Sequence, residues 1–106
     1  MPPSPALLNF EKLLAAGKDG ALLRFSLGNE HVKADDAPRA ADHLARADAL
    51  DPNFPAAWKL HGEALAAAGR EEEARAAYRN GIAVAGARGD KQAEKEMRMF
   101  ARRLER

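Results

Sequence analysis

The stretch Ala49-Leu50-Asp51-Pro52-Asn53-Phe54-Pro55-Ala56-Ala57-Trp58 closes one helical segment and opens the next. Asp51-Pro52 ends the first, since proline has no N–H to give a helix and disfavours the helical conformation in the residue before it. Downstream, Trp58, Gly62, Leu65, Ala74 and Tyr78 keep the spacing W-x3-G-x2-L-x8-A-x3-Y. Thirty-four residues upstream of Gly62, Ala74 and Tyr78 stand Gly28, Ala40 and Leu44, so small and large positions recur in register. A fixed period of that length marks a repeat architecture.

The rest of the chain reads as helices set around this junction. Ser4-Pro5 offers an N-cap followed by proline at the first helical position, and Leu7, Phe10, Leu13 and Leu14 recur at helical spacing until Gly17. Asp19 is placed to cap the next helix, whose apolar set is Leu22, Leu23, Phe25, Leu27 and Val32. Lys33-Ala34-Asp35-Asp36 reads as a tight connection into a helix presenting Ala40, Ala41, Leu44, Ala47 and Leu50. A fourth helix is expected from about Pro55 to Ala68, stopping at Gly69, and a fifth from Glu71, decaying over Gly86-Ala87-Arg88-Gly89. Asp90 caps a last helix with Ala93, Met97, Phe100, Ala101 and Leu104 on one stripe. Six helices and no strand pattern predict an all-α domain.

Composition limits what such a domain can be. With 106 residues, 46% hydrophobic and 31% charged, the chain is a single globular domain and not a disordered one. Much of the apolar share is alanine beside only four Phe, one Tyr and one Trp, so its core must be thin and its helices closely approached. Gly28 and Gly62 would each cost a helix about 1 kcal/mol relative to alanine, which makes sense where two backbones cross. A net charge of +1 argues against general nucleic-acid or acidic-membrane binding. The absence of cysteine excludes disulfides and thiolate chemistry. No apolar run is long enough to span a membrane, and Met1-Pro2-Pro3-Ser4-Pro5 lacks the basic start of a secretory signal, so a cytoplasmic protein is expected.

These residues resemble the tetratricopeptide (TPR) repeat family, whose units pair W-x2-L-G-x2-Y on one helix with A-x3-F-x2-A on the next and a closing proline. A unit beginning at Ala21 matches at Leu27, Gly28, Ala40, Leu44, Ala47 and Pro52, with Arg24 and His31 replacing aromatic residues. A unit beginning at Pro55 matches at Trp58, Gly62, Ala74, Tyr78 and Gly81, with His61, Leu65 and Gly86 as departures. The resemblance implies a helix-pair solenoid of about six helices: a capping helix in 1–20, repeats in 21–54 and 55–88, and a second cap in 89–106. It also implies a concave groove for a peptide or a partner helix. Its expected lining is Leu22, Phe25, Asn29, Val32 and Lys33 from the first unit, Lys59 and Glu63 from the second, and Met97 from the last helix. Ala56, Ala66 and Ala67 would complete it, with the last helix continuing through Asp90, Ala93, Phe100 and Ala101.

One TPR subclass grips a C-terminal carboxylate with lysine, asparagine and arginine. Asn29 matches that asparagine, but Phe25 stands at the paired lysine position, and Asp90 and Glu94 fall at the later cationic ones, which argues against carboxylate recognition. His31, His43 and His61 show no metal-ligand spacing and read as structural. No nucleophile–base set, phosphate loop or carboxylate pair stands out, so no enzyme, cofactor or metal site is expected. Lys91, Lys95, Arg98, Arg102, Arg103 and Arg106 give the last helix a basic flank that Asp90, Glu94, Glu96 and Glu105 largely offset. The sequence therefore predicts a non-catalytic protein-protein interaction module. The alternative is a scaffold that self-associates through its terminal helices, with Met97, Phe100 and Leu104 as the interface.

Overall fold

In a computed structural model, which describes residues 3–105, the chain forms six α-helices. They are α1 (Pro5–Ala15), α2 (Ala21–Lys33), α3 (Ala37–Leu50), α4 (Pro55–Ala67), α5 (Glu71–Arg88) and α6 (Lys91–Leu104). Arg106 of the expected basic flank lies outside the described residues. No strand occurs among the described residues, and none of their helices is long and apolar enough to cross a membrane.

The helix ends follow mainly from local chemistry. Ser4 accepts the Leu7 N–H at 3.0 Å and Asp90 accepts that of Ala93 at 3.1 Å, each satisfying an orphan donor of the first turn. Asp19 departs from expectation. The cap of α2 is Gly20, without a side-chain bond. Arg24 instead draws the Asp19 carboxylate sideways with two hydrogen bonds of 2.8 and 3.0 Å, and Arg46 of α3 approaches it at 3.9 Å. The fifth helix also runs further than expected, continuing through Gly86 to Arg88 before Gly89 stops it at φ 73°.

The 34-residue period is written into the backbone as well as the side chains. The α2–α3 turn places Asp35 at φ 59° and bonds the Asp36 N–H to the His31 carbonyl at 2.8 Å. The α4–α5 turn places Gly69 at φ 78° and bonds the Arg70 N–H to the Leu65 carbonyl at 2.9 Å. Both are left-handed helix terminators that return spare carbonyls to hydrogen bonds. Asp35 adopts a conformation in which aspartate, though disfavoured, is more common than most residues.

Packing follows the small-to-large alternation. A Cβ on Gly28 would lie 2.5 Å from Leu44 Cγ, and one on Gly62 would collide with the Tyr78 ring. Each glycine thus lets the second helix of its pair seat a large side chain against the backbone of the first. A third such contact joins Gly81 of α5 to Met97 of α6. In all three the large residue follows its glycine by the same sixteen positions. The centre of the fold is built from Ala40, Ala41, Leu44, Ala64, Leu65, Ala74 and Ala77. A second cluster, Tyr78, Ala85 and Met97, welds α6 to α5, with Ile82, Ala93, Phe100 and Leu104 around it.

Successive helices pack as antiparallel neighbours, and α4 also touches α2 on one side and α6 on the other. Helices α3 and α5 do not meet. The even-numbered helices therefore line the inner face of the array. α1 contacts α2 alone, leaving that face uncovered.

Candidate functional site

The inner face is built from α2, α4 and α6. On α2, Phe25 is half-buried with its ring centroid 4.9 Å from that of Phe54, the residue preceding α4. Asn29 and Val32 are half-buried further along, and Lys33, at the end, is exposed and holds Glu30 at 3.1 Å. Leu22, 70% exposed, stands at the opposite end of α2. From α4, Lys59 reaches Glu96 of α6 at 3.5 Å, tying the two helices across the face. Glu63 lies one turn beyond Lys59, half-buried, and makes no hydrogen bond or ion pair among the described residues. Burial pushes its carboxyl above the ordinary range, Lys59 draws it partly back, and Glu96 pushes it up again.

A cavity of about 230 Å³ opens where α2, the α2–α3 turn and α4 converge, lined by Val32, Asp35, Ala37, Glu63, Ala64 and Ala67. Three sequence-expected groove residues, Val32, Glu63 and Ala67, are brought together in its wall. Phe25, Asn29 and Lys59 share the face without entering the cavity. Met97 is not on the surface at all. It is fully buried against Gly81 and Trp58, because the α6 stripe turns inward to cap α5. The glycine-to-large spacing was the signal that could have found this, and Glu96, the preceding residue, is the α6 side chain that Lys59 meets.

The histidines form contacts that spacing along single helices does not display. His61 of α4 meets Asp48 of α3 at 2.6 Å, clipping one helix pair to the next. Asp48 is buried, its Oδ1 has no partner among the described residues, and burial pushes its carboxyl up against the opposing pull of His61. His31 and His43 stack with centroids 5.3 Å apart, and Arg24 donates to His43 Nδ1 at 3.1 Å. Arginine is always a donor, so His43 carries its proton on Nε2 when neutral. No group of three metal-ligating side chains is assembled among the described residues.

The fold and sequence both have close counterparts. A protein of Pseudomonas aeruginosa described as TPR repeat-containing protein PA0015 is 54% identical over 96 residues, covering 91% of this chain and 91% of the relative. The chain belongs to the tetratricopeptide repeat family. The solution structure of protein BPP2914 from Bordetella parapertussis superimposes with a TM-score of 0.81 at 39% identity, covering 95% of this TPR chain and 88% of that one. No family model matches the chain. The all-helical TPR solenoid that the residues predict is the fold observed.

Proposed function

We propose that this TPR chain is a non-catalytic protein-protein interaction module of the cytoplasm that binds an extended peptide or a partner helix along the face of α2, α4 and α6. The two repeats are assigned to 21–54 and 55–88, with 1–20 and 89–106 as caps. The observation that carries the reading is the open inner face, where half-buried Phe25, Asn29, Val32, Lys59 and Glu63 share one surface and Val32 and Glu63 line a cavity in it. Half-buried apolar surface beside polar groups of both signs suits a peptide-binding groove.

Capture of partners from a native lysate tests this with Asn29→Arg and Lys59→Glu as controls, each first checked for an unchanged thermal midpoint. The expected result is a protein retained by wild type and lost with both folded variants. Retention of the same partner by both would contradict the groove assignment.

A second reading, self-association, is favoured by α1. Leu8 and Leu13 there are 46% and 40% exposed at the end of the array. The α6 interface foreseen from sequence is not free for this, since Met97 is core and Phe100 lies 6.1 Å from Tyr78. Sedimentation equilibrium should show any dimer weakened by Leu8→Glu with Leu13→Glu, and a strict monomer at high concentration would end this reading.

A further inference from the structure

We infer that the cavity between α2 and α4 takes a lysine or arginine side chain of the bound partner, held between Asp35 and Glu63 over a floor of Val32, Ala64 and Ala67. This rests on the groove reading and gives its partner a charge. Four observations converge on it.

The first is size. At about 230 Å³ the cavity is smaller than the roughly 300–1,000 Å³ usual for small-molecule sites, so it suits one long side chain and not a cofactor. The second is shape. Val32, Ala37, Ala64 and Ala67 make apolar walls for a hydrocarbon stem, while Asp35 and Glu63 are the two charged residues of the lining.

The third is the state of those carboxylates. Several acids of this chain already have a cation: Asp19 has Arg24, Glu30 has Lys33, Asp36 has Arg39, Glu72 has Arg75, Glu73 has Arg70 and Glu94 has Arg98. Asp35 and Glu63 have no side-chain partner among the described residues. Lys59, the cation nearest Glu63 on its own helix, is engaged by Glu96, so two carboxylates share one ammonium there. Glu63 is half-buried while Asp35 is exposed at the rim; a half-buried carboxylate without a partner is costly, and an incoming cation relieves that cost at Glu63.

The fourth is position. The cavity opens on the face assigned to the partner, and α1 does not reach it. The charge selected is opposite to that taken by a carboxylate clamp.

The test uses the full chain, amide NMR, and three probes of equal length through the millimolar range: n-butylammonium, n-butanol and butyrate. n-Butylammonium is expected to shift the Val32, Ala64 and Ala67 amides, with butanol and butyrate at least about fivefold weaker. Glu63→Gln and Asp35→Asn should each remove most of that preference. Neither is expected to unfold the chain, since glutamine relieves a buried charge and asparagine accepts the left-handed backbone at position 35. Equal binding of butanol and butylammonium would overturn the charge inference while leaving the groove in place. Equal shifts at Glu71, Glu72 and Glu73, acids without such walls, would overturn it as mere surface attraction. Failure of all three probes would overturn it too. The groove reading itself stands or falls separately, on the Asn29→Arg and Lys59→Glu capture.

Discussion

Gly62 and Gly86 both lie inside helices, yet a methyl group added to each meets opposite surroundings. At Gly62 it would collide with the buried Tyr78 ring, which has nowhere to go. At Gly86 its nearest neighbour is the Glu94 carboxylate at 3.7 Å, an ordinary contact. Gly62→Ala should therefore lose about 1–3 kcal/mol through overpacking. Gly86→Ala should gain about 0.5–1 kcal/mol, because alanine has less backbone entropy to surrender. Urea unfolding of the two variants checks both signs, and a neutral Gly62→Ala would mean the helices do not cross there. His43 makes a second residue-scale prediction. Burial, reinforced by His31 and Arg24, holds its pKa below the ordinary 6.5. The unfolded chain then binds the proton more readily than the folded one, so His43 lowers stability as pH falls through that value. Between about pH 7.5 and pH 5, wild type should lose more stability than His43→Gln, which keeps an acceptor for Arg24 but does not titrate. The difference between the two cancels the titrating groups that do not interact with His43, Asp48 included. Parallel pH profiles would contradict the burial of His43 beside His31 and Arg24.

At the scale of elements, what could be read in advance depended on whether a contact lay within a helix pair or between pairs. The junction at Asp51-Pro52, the Gly28 and Gly62 crossings and the Asp90 cap are local or periodic, and each is legible from spacing. The Asp48–His61 clip is neither, since it joins α3 to α4 across a turn and uses a histidine where the preceding repeat has Leu27. Asp19 misled for a related reason: a cap is judged from the residues that follow, whereas Arg46 of another helix helps to hold it aside. Met97 was misplaced because the groove positions of α4 were continued into α6 by one period. The glycine it covers, Gly81, lies three residues beyond Tyr78 and sets α6 in a different rotation. This has a measurable consequence. Met97→Ala, which hollows the α5–α6 seam, should cost about 2–5 kcal/mol. Met99→Ala, 43% exposed on the same helix, should stay within about 0.5 kcal/mol. Equal effects in denaturant would place α6 in the wrong rotation.

For the whole molecule, the proposed function rests on which side of the array is left open. The chain measures 37 × 28 × 19 Å, small enough that each helix serves both core and surface. Glycine and alanine let α2–α3 and α4–α5 close tightly, α6 turns its apolar stripe inward, and α1 stays on the flank of α2. The face of α2, α4 and α6 is left open, and the proposed partner binds there. Amide NMR of the labelled chain, titrated with the partner segment captured by wild type, tests that assignment most directly. Shifts should cluster at Phe25, Asn29, Val32, Lys59, Glu63 and Glu96 and leave the outer surfaces of α3 and α5 unchanged. Shifts centred on α3 and α5, or on Leu8 and Leu13 of α1, would contradict it.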